Sequence, residues 1–310
     1  MFGFSTNWFP ENTTQTELTD FIEKSGLNSF ELSYRATPQF IEIIADLVSQ
    51  ELIKVRSVHD VCPRPVGYKC ESPAALCEEE RRKAVELTKQ RTIKMAEKVK
   101  ADCIVLHLGQ VEMQKSTREM VRVFSSEPRE KFEQYRREFI AERRAKAPAH
   151  FAQARKSLQE LSGTAGDCGI KLAVENRFWY EEFPDFAEIG ILLNEFPPDK
   201  ISYWHDTSHA QAMENLGFCT QRAYLDAYGD RLAGFHISDM SFKQDISAEW
   251  LNDYVDFKTE HKAPGCGNIN FSFLKDFRGR NDIRLIFEFY KMVTLPQISA
   301  GITYLEKILY

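Results

Sequence analysis

Eight short apolar runs punctuate this chain, at residues 2–8, 29–34, 53–60, 102–108, 170–176, 201–206, 232–238 and 283–289, each the length of a buried strand. Stretches with helical spacing lie between them. Residues 14–26 open on Thr14-Gln15-Thr16-Glu17, a capping-box pattern. Residues 38–50 place Phe40, Ile41, Ile44 and Leu47 on one face, and 73–99 follow Ser72-Pro73, a good helix start. Segments 184–195, 270–277 and 295–309 complete the alternation. Eight strand-then-helix units predict an α/β protein with a parallel sheet that closes on itself, a single (β/α)8 TIM barrel spanning residues 1–310. The competing doubly wound sheet usually carries a Gly-rich phosphate loop after its first strand, and this chain has none there.

One unit is oversized. A long helical insertion of about 110–160 follows strand four, charged from Ser126 to Glu160 and most basic at Arg143-Arg144-Ala145-Lys146. The plain reading is a solvated helix, with His150 on its surface. The sharper one is a lid or dimer element, because a βα insertion emerges on the face where barrel enzymes carry their chemistry.

From the third run onward, each apolar run ends in an acid or a histidine: His59, His107, Glu175, His205-Asp206, His236 and Glu288. Such groups are costly to bury unless they pair or bind a cation. Six at the same place in six successive strands predict a ring of ligands at the mouth of the barrel. Glu175, Asp206, His236 and Glu288, from strands five to eight, supply three carboxylates and one imidazole, a shell suited to one divalent ion such as Mn, Co, Mg or Zn. His59 and His107 face the same bowl, and each alone reads more often as a hydrogen-bonding or substrate-contacting histidine than as a ligand. His209 stands three residues after Asp206, and His261 opens the loop that runs through Gly265 and Gly267, where glycine permits close approach to a ligand. His205 points away from Asp206 by strand alternation.

Composition narrows the partners. With 40 Lys and Arg against 46 Asp and Glu, the net charge is −6, which argues against a nucleic acid backbone as partner. No run approaches the roughly 20 apolar residues of a membrane span. The amino terminus shows no basic, then apolar, leader, and the seven scattered cysteines fit neither a disulfide framework nor a thiolate zinc site, so a reducing cytoplasm is the expected location. Cys103, within a strand, reads as a small core residue.

These residues resemble the xylose-isomerase-like barrel superfamily of sugar isomerases and epimerases, inosose dehydratases and endonuclease IV. The resemblance runs through Val105-Leu106-His107-Leu108-Gly109, Val174-Glu175-Asn176, His205-Asp206-Thr207-Ser208-His209-Ala210, Phe235-His236-Ile237-Ser238-Asp239 and the Gly265–Asn268 loop. Likeness to the keto-sugar epimerases implies one metal on Glu175, Asp206, His236 and Glu288, with His209 and Glu181 on the substrate side. An arginine those enzymes carry six residues after the metal histidine is Phe242 here. Likeness to endonuclease IV implies a second ion on His59, His107 and Glu175, and a third on His209 and His261. That third set also needs an aspartate where this chain has Thr259, and the loop glutamate is replaced by Cys266, so it is incomplete.

The expected function is therefore a divalent-metal-dependent sugar isomerase or epimerase working on a small sugar or polyol by proton transfer through a metal-bound enediolate. Glu175 and Glu288 exchange the proton, while His209, Glu181, His261, His107 and His59 contact substrate. Asn176 or Asp239 would support the metal ligands from behind, and Trp8, Phe178, Trp179 and Tyr180 would wall the pocket. The alternatives are a zinc-dependent phosphodiesterase on abasic DNA, an inosose-dehydratase-like lyase, and a barrel that only binds. The insertion is consistent with a homo-oligomer.

Overall fold

A computed structural model describes residues 2–68, 71–241 and 261–310. Phe242 and Thr259 fall outside the described residues. Eight strands, β1 (Phe2–Ser5), β2 (Ser29–Leu32), β3 (Lys54–His59), β4 (Cys103–Leu106), β5 (Lys171–Glu175), β6 (Ile201–Asp206), β7 (Leu232–Ile237) and β8 (Arg284–Phe287), close into a barrel in chain order. Every neighbouring pair is parallel, β8 with β1 included.

The strands are largely apolar because both faces are covered. Ile104, Leu106, Leu172 and Val174 join the large core beneath the helices, while Cys103, Val105, Ala173, Trp204, Ala233 and Ile286 form a separate cluster that fills the barrel. Side chains alternate along a strand. Hence His107, Glu175, Asp206 and Glu288, each two residues beyond one of those interior positions, stand on the next layer up. Trp204 is fully buried, and its ring leaves no room opposite: a Cβ on Gly234 would lie 2.5 Å from it.

The helices are α1 (Gln15–Ser25), α2 (Pro38–Ser49), α3 (Glu78–Leu87), α4 (Lys94–Lys98), α5 (Thr117–Ser126), α6 (Arg129–Asp167), α7 (Phe186–Glu195), α8 (Thr207–Asn215), α9 (Gln221–Tyr228) and α10 (Leu295–Leu309). The capping box expected at Thr14 and Glu17 is present. A short 3-10 turn, Thr6–Trp8, replaces the end of the first apolar run, and 271–277 is 3-10 rather than α.

Two expectations need correction. The helix after Ser72-Pro73 begins only at Glu78, where Glu78, Glu79 and Glu80 occupy a first turn that favours negative charge. The carbonyls of the preceding turn are used elsewhere: Ser157 donates to Pro73 O at 2.8 Å, and His150 Nδ1 lies 2.8 Å from Ala74 O. Both partners come from α6, so His150 is buried, not on the surface. Nor is the insertion merely solvated. α6 runs 39 residues and buries one face, Phe139, Arg143, Ala147, His150, Phe151, Ala154, Leu158, Leu161 and Ala165, at the i, i+3, i+4 spacing of a helix docked on a core.

No helix among the described residues is long and apolar enough to cross a membrane.

Candidate active site

The upper ends of β5 to β8 converge. Ligand-capable atoms of Glu175, Asp206, His236 and Glu288, all buried, lie within 4.8 Å of one another. A second group, His59, His107 and Glu175, meets the same criterion and shares Glu175 with the first. The ring anticipated from strand endings is thus brought together, and His205 is not part of it: its imidazole meets Tyr203 Oη at 2.7 Å and Gln221 Oε1 at 3.3 Å on the helix side.

His236 sits at the centre. Its Nδ1 is 2.6 Å from Glu175 Oε1, 3.4 Å from Glu288 Oε2 and 3.8 Å from Asp206 Oδ2. Its Nε2 is 2.9 Å from Glu31 Oε2. Glu31, on β2, is fully buried and also accepts a hydrogen bond from Ser57 Oγ at 2.8 Å. The strand-ending pattern did not reveal it, although an acid inside the apolar run 29–34 was the available signal.

Asp206 ends β6 and caps α8. Its Oδ1 accepts the His209 N–H at 2.8 Å, whereas Oδ2 is buried without a hydrogen-bond partner. Asn176 braces it from behind, accepting from the Asp206 N–H at 2.8 Å and donating to the Asp206 carbonyl at 3.0 Å. The other supporting candidate, Asp239, does a different job. It accepts from the N–H groups of Gly265, Gly267 and Ile269 and so folds the glycine loop around itself.

Burial and mutual charge drive the acids apart. Burial pushes Glu288 up to about 8, with Glu31, Asp206 and Glu175 adding to it. Burial, then the Glu175 charge, pushes Asp206 up to about 7. For Glu175 burial acts the same way, but the His236 charge and hydrogen bonds from His107 and His236 outweigh it and hold the carboxyl well below its usual range. His236 is held well above its ordinary value despite burial, by Glu31, Glu288 and Glu175.

Glu175 Oε2 is also occupied. His107 Nε2 lies 2.9 Å from it, and Arg177 Nη1 donates to it at 2.6 Å. Arg177 was not anticipated, because a charge just beyond a strand end reads as solvated, yet it is buried. His59 stacks parallel to His236 with ring centroids 5.8 Å apart and meets His107 edge-on at 4.5 Å.

The expected substrate-side residues separate into two sets. His209 and His261 flank the cluster: His209 Nε2 is 3.8 Å from Asp206 Oδ2, and the two imidazole centroids are 6.2 Å apart. Burial lowers His209 to about 3 and His261 to about 4, so both are neutral. Glu181 points elsewhere, its carboxylate taking the Thr117 N–H and Oγ1 at the start of α5. Its neighbour Glu182 accepts from Arg177 at 3.1 Å instead. Phe178 meets His209 edge-on at 5.5 Å, whereas Tyr180 stacks on Phe218 at 3.9 Å and the half-buried Trp8 packs against the core and donates to Val293 O.

A cavity of about 740 Å³ reaches the ring at His107 and is lined also by Asp60, Arg64, Glu71, Arg177 and Glu182. That volume suits a small molecule. The donor set fits a divalent cation on two grounds. Three carboxylates and an imidazole crowd one buried point, and Asp206 keeps an unpartnered oxygen there.

The xylose isomerase-like TIM barrel family matches the chain over residues 19–308. No curated protein sequence matches it. Among solved structures it is similar to a 3-keto-D-glucoside 4-epimerase from E. coli, at 16% identity and TM-score 0.64, covering 99% of this chain and 98% of that one. It is similar to a D-psicose 3-epimerase from Clostridium cellulolyticum H10, at 13% identity and TM-score 0.66 over the same shares, 99% and 98%. An IolI protein with a binding zinc atom aligns at 17% identity and TM-score 0.63, over 99% of this chain and 97% of that one. At these identities the likeness is one of fold.

Proposed function

The chain belongs to the xylose isomerase-like TIM barrel family, and from that premise we propose that it is a divalent-metal-dependent isomerase or epimerase of a small keto sugar or polyol. The observation that carries the proposal is the convergence of Glu175, Asp206, His236 and Glu288 on one buried point with an Asp206 oxygen left unpartnered. The structural neighbours named as keto-sugar epimerases, and the one named with a zinc atom, support the same reading.

Glu175, Asp206, His236 and Glu288 would hold the ion. When bound, it would supply Lewis acidity to adjacent carbonyl and hydroxyl oxygens, making the neighbouring C–H more acidic. The proton itself is moved by the protein. Glu288 and Glu175, the latter clamped by His107, Arg177 and His236, are the two carboxyl groups that would exchange it. One would take the proton from carbon and the other, entering the step protonated, would return it. Neutral His209 and His261 would orient hydroxyl groups, and His107 and His59 would line the approach. Glu181, fixed to Thr117, takes no part, and Glu182 is the nearer acid to the cavity.

A second reading, a two-metal phosphodiesterase, draws on the His59, His107 and Glu175 group. Metal content of the purified protein, followed by a keto-sugar and polyol panel with that metal restored, tests the first reading. Glu288→Gln should lower turnover by about 10²–10⁴-fold with the fold intact. Full activity in that variant refutes the two-glutamate scheme.

A further inference from the structure

We propose that Arg177 takes the place of a second metal ion, so that the centre accepts one divalent ion per chain although side chains for two are present. The inference rests on the metal-dependent reading above. A second ion on His59 and His107 would have to share Glu175, whose Oε1 already faces His236 Nδ1 at 2.6 Å. The oxygen left for it, Oε2, takes the Arg177 Nη1 donor at 2.6 Å and His107 Nε2 at 2.9 Å. A guanidinium does not lose its proton in a protein, so that donor and its charge are permanent. A dication brought to the same oxygen meets a fixed positive charge at contact distance, in a buried site where salt and water screen little.

Arg177 is not free to swing away. Its side chain is 7% exposed, and Nη2 is held by Glu182 Oε1 at 3.1 Å, while Glu182 Oε2 accepts the Trp179 N–H at 3.1 Å. The loop carrying these residues is fastened to α6 by the buried Arg143, which donates to the carbonyls of Tyr180 and Glu182 and to Asp185 and Glu188. The insertion thereby locks the arginine over Glu175. The second site is closed by charge, not by missing ligands, and His59 and His107 are left to face substrate.

The test counts ions on the full chain titrated with Zn²⁺ or Co²⁺ and freed of excess by gel filtration. Wild type is expected to hold one ion, Arg177→Lys one, since the charge is kept, and Arg177→Met two. Two ions in wild type or in Arg177→Lys, or one in an Arg177→Met variant with native circular dichroism, overturns the inference. Should Arg177→Met fail to fold, Arg177→Gln, which keeps a donor towards Glu175 but not the charge, decides: two ions are expected, and one ion in a folded Arg177→Gln variant would contradict the inference. No ion bound by wild type removes the metal-dependent reading itself, a different result from one ion in both wild type and Arg177→Met.

Discussion

Replacing Glu31 with glutamine is expected to weaken metal binding without touching any of the four ligands. Glu31 is fully buried, with His236 Nε2 at 2.9 and 3.0 Å from its two oxygens and Ser57 Oγ at 2.8 Å. A carboxylate there holds the Nε2 proton, so the proton His236 must give up to bind a cation is the one on Nδ1, the nitrogen that faces Glu175, Glu288 and Asp206. Glutamine offers one acceptor oxygen where there were two, and its amide group must turn towards one of two donors. Loss of such an outer partner costs about 10–100-fold in metal affinity, which is roughly 1.4–2.7 kcal/mol. The change also withdraws one of the carboxylates that hold His236 above its ordinary range, which eases proton competition for the imidazole. A pH series separates this opposing effect from the loss of orientation. Isothermal titration with Mn²⁺ or Co²⁺ measures the change. Affinities within twofold of each other across that series, in a folded variant, would refute the assignment of Glu31 as the residue that orients His236.

Two further outcomes follow from the same geometry. Without an ion, Asp206 is pushed up to about 7 and Glu288 to about 8, so both carry protons at lower pH and must release them to bind a cation. Metal affinity should therefore rise as pH increases from about 6 to about 8, with proton release visible as a dependence of the titration heat on the buffer; a flat profile contradicts these shifts. Arg143→Leu leaves Asp185, Glu188 and two loop carbonyls without their shared partner, and losing one side of a buried pair costs about 3–5 kcal/mol. Across 310 residues that lowers Tm by roughly 5–8 °C in a calorimetric scan, and a shift below about 2 °C would show the clamp to be incidental.

Strand ends carried most of the legible information. Once the runs at 102–108, 170–176, 201–206 and 283–289 are taken as barrel strands, two-residue alternation places His107, Glu175, Asp206 and Glu288 above the interior layer of Val105, Ala173, Trp204 and Ile286. Glu31 escaped because it lies inside its apolar run and not at the end of it, although alternation with the core residues Phe30 and Leu32 turns it to the barrel interior. Arg177 and Glu182 escaped because they lie beyond β5 in a loop whose path depends on Arg143, a contact between residues far apart in the chain. The same distance hid His150: α6 carries charge on its outer face, and its inner face is recognisable only once the turn at 73–75 lies beneath it.

The central claim is that four residues from four successive strands hold one cation. Crystals soaked in Mn²⁺ and measured at the manganese absorption edge test it most directly. One strong anomalous peak is expected, bound by Glu175, Asp206, Nδ1 of His236 and Glu288, at about 2.0–2.3 Å from each. A peak that leaves Glu288 or Asp206 unbound, or manganese found only at surface carboxylates, would contradict it.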